Sequence, residues 1–250
     1  MYIIVPILFL VMSCTKTEQS IEIGDNELNG QNPANSCIDI DGNIYKTVKI
    51  GNQVWMAENL RVSRFRNGQA ISLLTSPADW VKLSSKTDKS ALCMYNNDQA
   101  NELQYGLLYT WFAANDARGI APQGWHIPTD AEWIELGNTL GGYQEAGGKM
   151  KSTGTLEAGT GLWLAPNTGA TNSSGFNAHP GGERAADGVF AGLGARTRFW
   201  TANSFEGDEF NTYSLDINLF SNQKTVYNSS GDNVAAYNAL AALSVRCVKD

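Results

Sequence analysis

Gly124-Trp125-His126-Ile127-Pro128-Thr129-Asp130-Ala131-Glu132-Trp133 is the stretch on which the reading of this chain turns. Trp125 and Ile127 flank a polar His126, as in a short strand with one core-facing side. Pro128 ends the strand. Thr129-Asp130-Ala131-Glu132 is a capping box, in which Thr129 serves the first free amides of a helix and Glu132 reaches back to the amide of Thr129. Trp133, Leu136 and Leu140 then supply one buried face, and Gly141-Gly142 stop the helix. On this reading Glu132 serves stability rather than chemistry.

Toward the N-terminus, a second helix is predicted over 98–114. Asp98 caps it, and Tyr105, Leu108, Tyr109 and Phe112 recur at i, i+3, i+4 and i+7. Before it, Ile38 to Met56 alternates β-branched and aromatic residues broken by Asp41-Gly42-Asn43 and Gly51-Asn52, a strand–turn–strand–turn–strand meander. Asp39-x-Asp41-Gly42-Asn43 also invites a calcium reading. A calcium loop needs a distal bidentate Glu and further oxygen ligands, so a plain hairpin turn is the expectation and no metal is called.

Toward the C-terminus, Gly, Thr, Asn and Ser dominate from 147 onward, with Trp163, Phe176 and Phe190 set singly among them. Long loops pinned by single aromatics are expected there, with Gly147-Gly148 as a turn. Strands resume at 198–201, 212–215 and 242–248. No repeat of solenoid or propeller period occurs.

At the other end, residues 2–13 are apolar up to Cys14, after which the chain turns polar. The run is far short of the roughly 20 residues that span a bilayer. Val11-Met12-Ser13-Cys14 resembles a bacterial lipobox, which implies a signal peptide over 1–13, a lipid on Cys14 and an outer-membrane lipoprotein. No Lys or Arg precedes the apolar run, which a start upstream of Met1 would supply. Residues 14–36 read as the lipidated Cys14 followed by a flexible tether over 15–36 carrying Glu18, Glu22, Asp25 and Glu27. A tether of 22 residues spans about 25 Å as a coil; its acidity points to the cell surface. Residues 37–250 form the folded domain.

The net charge of −7 argues against nucleic-acid binding and against adhesion to anionic headgroups. Beyond Cys14, the thiols Cys37, Cys93 and Cys247 allow at most one disulfide. None has the Cys-x-x-Cys spacing of a metal or redox site. The acid–base candidates are His126, His179, Asp130, Glu132 and Glu183. No nucleophile elbow, histidine–acid metal motif or phosphate-gripping glycine loop accompanies them, and Asp187 and Asp232 read as turn residues. The chain is expected to be no enzyme and to carry no cofactor.

Several segments together carry a family resemblance: 39–60, Tyr105-Gly-Leu-Leu-Tyr-Thr-Trp111, Gly124–Trp133, Asn167–Phe176 and Ser244-Val-Arg-Cys-Val248. They resemble the Fibrobacter succinogenes major paralogous domain over about 38–250. The resemblance implies an exported lipoprotein of Fibrobacter or Bacteroidota, in agreement with Cys14. Trp125–Trp133, Pro180-Gly-Gly with Arg184, and the closing Ser-Val-Arg-Cys-Val are more loosely similar to formylglycine-generating enzymes and the C-type-lectin-like architecture. That likeness implies an α+β fold with a small twisted antiparallel sheet, two helices (98–114 and 130–140), long loops, and a terminal strand over 243–249 returning near the first.

The pattern departs from these relatives at two places. Ala121 stands where family members carry Cys, leaving Cys247 without its usual partner, for which Cys93 or Cys37 substitutes unless Cys247 is a buried thiol. Copper-binding relatives use two cysteines near the C-terminus, and here Cys247 stands there alone. The Glu-Pro-Asn, Gln-Pro-Asp and Trp-Asn-Asp triplets of calcium-dependent lectins are missing; the equivalent strand reads Phe199-Trp200-Thr201-Ala202-Asn203.

The expected function is a surface-anchored, non-enzymatic recognition or adhesion module for a glycan or protein. The alternatives are a degenerate relative of a copper-dependent formylglycine-generating oxidase and a structural envelope component. The expected binding surface is the 147–240 span, with Trp163, Tyr213, Tyr227 and Tyr237 among its aromatics, acting without calcium.

Overall fold

The computed structural model describes residues 35–205, 213–228 and 237–250. Cys14, the segment before it, most of the tether, Thr212 and Asp232 lie outside the described residues.

The meander forms as its alternation predicts. Ser36–Ile38 pairs antiparallel with Ile44–Ile50 in the register Cys37↔Tyr45 and Ile38↔Ile44, and Ile44–Ile50 pairs with Gln53–Met56. This register buries Cys37 and Tyr45 and leaves Ile38, Ile44 and Lys46 outside. Asp39 closes the first turn. Its carboxylate accepts the backbone N–H groups of Asp41 and Asn43 at 2.9 Å each and the Tyr45 hydroxyl at 2.6 Å. Asp41 faces the other way and accepts from Ser63 and Arg64. These are the bonds of a tight turn, the reading preferred over calcium.

The C-terminal strand Val248–Lys249 lies between Gln53–Met56 and Trp125–His126, so the smaller sheet has five antiparallel strands. The larger sheet has ten strands among the described residues. Its centre is Arg196–Phe205, Gly181–Arg184, Ala242–Leu243 and Leu108–Thr110. Most of its joints are antiparallel; those at Thr197↔Gly182 and Ser72↔Ala91 are parallel. The fold is mixed α/β, with antiparallel-dominated sheets and few, short helices.

The capped helix runs Asp130–Thr139 with the predicted reciprocal box: the Glu132 amide donates to Thr129 Oγ1 at 3.3 Å, and the Thr129 amide to Glu132 Oε2 at 2.7 Å. Three other expectations fail. The helix over 98–114 is three elements: a helix Gln99–Tyr105 capped by Asp98, a strand Leu108–Thr110 and a short helix Trp111–Ala114. Gly106 breaks it at φ +79, where a Cβ would lie 2.6 Å from that of Asn59. The apolar pattern still marked the core, because Leu108, Tyr109 and Thr110 are all buried in a strand covered on both faces.

Gly147-Gly148 is no turn. Both lie inside a helix Tyr143–Met150 that starts directly after the Gly141-Gly142 stop, and a Cβ on Gly147 would meet the carbonyl oxygens of Lys224 and Thr225 at 2.8 Å. These glycines let a helix touch neighbouring backbone. Finally, 242–248 is not one strand. Ala242–Leu243 belongs to the larger sheet and Val248–Lys249 to the smaller, with buried Arg246 in the crossing between them.

One core gathers Trp55, Trp133, Phe176 and Phe199, with neighbouring ring centroids 4.7 to 5.9 Å apart. Such offset and edge-on contacts add about 0.5–1.5 kcal/mol each beyond the burial of area. Trp163 and Phe176 are fully buried pins, as the isolated aromatics suggested. Cys37, Cys93 and Cys247 are all free and buried, so the described core closes without a covalent staple. Burial pushes the Cys37 and Cys93 thiols up to about 12, which leaves them protonated and unreactive at neutral pH.

Candidate functional site

A cleft of about 370 Å³ opens where three segments meet: the chain leaving Gln53–Met56, the end of the helix Gln99–Tyr105, and the loop carrying Asn177 and His179. Its size lies within the range of small-ligand sites. Glu58 and Asn59 come from the first segment, Gln104 and Tyr105 from the second; Lys46 and Arg61 stand at its rim. Gly106 permits the close approach of the first two segments.

The walls are held by their own hydrogen bonds. Asn59 is buried; its amide donates to the Tyr105 carbonyl at 2.7 Å, and its Oδ1 accepts from Arg246 Nε at 2.7 Å. His179 Nδ1 lies 2.8 Å from the Gln104 carbonyl, which only accepts, so Nδ1 carries the proton. Nε2 then accepts from the Asn177 side-chain amide at 3.1 Å. Burial pulls the His179 pKa below its ordinary value; the bond to Gln104 opposes this and the nearby Arg246 charge adds to it. His179 is therefore neutral at pH 7.

Arg246 lies behind this wall, with no exposed surface. Its guanidinium donates to Asn59 Oδ1 and to the carbonyls of Met56, Phe176 and Asn177, and it stacks 4.5 Å from the Phe176 ring centroid. All these acceptors are neutral. Burial lowers its pKa to about 9, and the charge of Glu58, on the cleft, opposes that shift. Glu58 itself pairs with Arg61 at 3.4 Å.

The other sequence candidates are placed elsewhere. His126 faces outward from its strand, between Glu132 at 2.8 Å and Asp250 at 2.7 Å. Burial opposes its protonation, but the two carboxylates outweigh this and raise its pKa. Glu132 is thus both helix cap and histidine partner, a double role that spacing alone did not reveal. The backbone N–H of Asp130 donates to Asn203 Oδ1 at 2.7 Å. Glu183 is buried under Arg196 at 2.6 Å, Arg198 at 2.8 Å and the Tyr237 hydroxyl at 2.8 Å. Asp187 caps a turn by accepting the Val189 amide at 3.0 Å.

The 147–240 span contributes Asn177 and His179 to the cleft; the remaining wall comes from 46–61 and 103–106. Trp163, one of the aromatics scattered over that span, is fully buried, with its indole N–H on the Ala178 carbonyl at 3.0 Å, and so offers no recognition surface. Its size and isolation on a loop already fitted a core pin. Tyr237 is half-buried and held by Glu183 and Arg198; the side chains of Tyr213 and Tyr227 lie outside the described ones. Sequence reading missed Arg246 as a site residue, because Ser244-Val-Arg-Cys-Val248 read as a plain strand.

Residues 48–249 match the Fibrobacter succinogenes major domain, and the chain belongs to that family. No curated protein and no solved structure matches it.

Proposed function

We propose that this member of the Fibrobacter succinogenes major domain family is a non-enzymatic recognition module of the cell envelope. A lipid on Cys14 holds it at the outer membrane, and the cleft beside His179 takes its ligand, a glycan or a protein. The architecture on this reading is lectin-like: the five-stranded sheet closed by the C-terminal strand, helices packed beside it, and long loops around both. Among the described residues no helix is long and apolar enough to cross a membrane.

The observation that carries the reading is a cleft formed before any ligand arrives, whose polar walls are satisfied internally. Asn59, Asn177 and His179 are each fixed by bonds to the fold. Pre-formed polar surfaces of this kind lose little entropy on binding. His179 supports binding rather than proton transfer, since both its ring nitrogens are already engaged.

Two experiments test the proposal. Cys14→Ala should shift the chain from the detergent to the aqueous phase on fractionation; unchanged partitioning would contradict the anchor. The mature full-length chain, applied to a glycan array and to envelope extracts, should retain a specific ligand that a variant with Asn177→Ala retains less well. Retention equal in the two would remove the cleft from the reading.

A further inference from the structure

We propose that the cleft beside His179 selects an anionic ligand, and that the group it recognises is the carboxylate of an acidic saccharide. The proposal rests on the recognition reading above and deepens it. It comes from a contrast in charge. The chain as a whole carries −7, yet the cleft is cationic. Lys46 and Arg61 stand at its rim, Arg246 lies directly behind Asn59 and Asn177, and Glu58 is the one carboxylate among the lining residues.

Arg246 makes the contrast consequential. A buried charge costs desolvation energy that neutral acceptors recover only in part. Four neutral groups hold its guanidinium, and Glu58 sits across the cleft wall already engaged with Arg61. The protein surrounding this charge screens it far less than water would, so its field reaches the cleft. A carboxylate entering there would be drawn by Lys46, Arg61 and Arg246 together, sharing Arg61 with Glu58. The rest of the rim fits a sugar. Gln104 is exposed and offers both a donor and an acceptor to hydroxyl groups, and Leu103 exposes an apolar surface beside it. The cleft's volume of about 370 Å³ admits one or two sugar rings.

The test compares one saccharide in two charge states. The mature full-length chain is titrated with a short oligogalacturonate and with its fully methyl-esterified form, at low and high salt. The acid should bind about tenfold or more tightly than the ester, and salt should weaken it. Lys46→Gln and Arg61→Gln should each reduce acid binding several-fold. Lys46→Gln should do so without changing the melting temperature, whereas Arg61→Gln also loses the Glu58 pair and the bond to the Ile44 carbonyl and should melt somewhat lower. Inorganic phosphate displacing the oligosaccharide would support an oxyanion site. Phosphate binding where neither saccharide binds would overturn the saccharide assignment.

Ester bound as tightly as acid, or acid binding indifferent to the Lys46→Gln/Arg61→Gln pair, would overturn the charge inference while leaving recognition standing. Should no saccharide or phosphate bind, while the array and extracts also yield no ligand, the inference and the recognition reading would fall together.

Discussion

Arg246 and Lys151 are both cations with no exposed surface, and each is held by neutral acceptors. Lys151 Nζ donates to the carbonyls of Thr168, Phe220 and Gln223 at 3.0, 3.0 and 2.8 Å, and lies 5.2 Å from the Trp163 ring centroid. Burial lowers its pKa to about 8. One ammonium thus ties the start of a loop near 168 to the turn at 220–223, where too little apolar side chain exists to hold them. Arg246 does the same for 56–59 and 176–177, but its far side is the wall of a cleft. The same device therefore gives a sealed structural rivet in one place and a charge close to solvent in the other. What separates them is what lies beyond the ring of carbonyls.

The largest expected effect breaks the comparison at its functional end. Arg246→Met would leave Asn59 Oδ1 and three carbonyls without donors, at a cost of about 3–5 kcal/mol by thermal or urea unfolding. It would also remove one of the bonds that fix each of Asn59 and Asn177 in the cleft wall. Lys151→Met should cost somewhat less, about 2–4 kcal/mol, because the methionine still packs on Trp163. Its sharper consequence is that any ligand bound beside His179 keeps its affinity in Lys151→Met. A loss of binding there would mean that the two cations are not the separate devices described.

Thr129→Ala comes next, with about 1 kcal/mol lost from the helix cap and no change in binding. Glu132→Gln is expected to keep the capping box but lose the link to His126. The sign of that effect with pH follows from the shifts. The folded pKa of His126 is raised, so its contribution is full below the ordinary value of 6.5 and lost as pH rises through the folded value. Glu132 is lowered, because bonds from Thr129 and His126 outweigh burial, so its contribution is lost as pH falls below 4.5 toward the folded value. Glu132→Gln should therefore destabilise most between about pH 4.5 and 6.5 and approach the parent above neutrality, as unfolding curves across that range will show. A gap that widened with rising pH would contradict the bridge.

Much of this was legible in the sequence, for local reasons. The meander and the 129–132 cap depend on residues within a few positions of one another, and they fold as read. Expectations failed where distant backbone decided the outcome. Tyr105-Gly106-Leu107-Leu108 has helical spacing, but Asn59 leaves no room for a Cβ at 106, and the strand Leu108–Thr110 pairs with both Ala91–Cys93 and Ala242–Leu243. Gly147 and Gly148 looked like turn residues because the backbone they approach, at 224 and 225 for the first and at 169 for the second, is remote in sequence. The cleft itself was hidden for the same reason: its walls come from 46–61, 103–106 and 177–179. His179 was visible as a loop histidine, whereas the cation behind it lay inside what read as an ordinary closing strand.

The chain has only two histidines, one in each electrostatic setting, so a histidine-detected NMR titration of the full-length protein reports directly on the cleft. Without ligand, His126 should titrate above 6.5 and His179 below it, since burial, joined by the Arg246 charge, holds the latter neutral. Adding oligogalacturonate should shift the His179 resonance saturably and raise its pKa, because a bound carboxylate offsets the Arg246 charge, while His126 stays in place. Saturable binding that moved His126 and left His179 untouched would contradict the account.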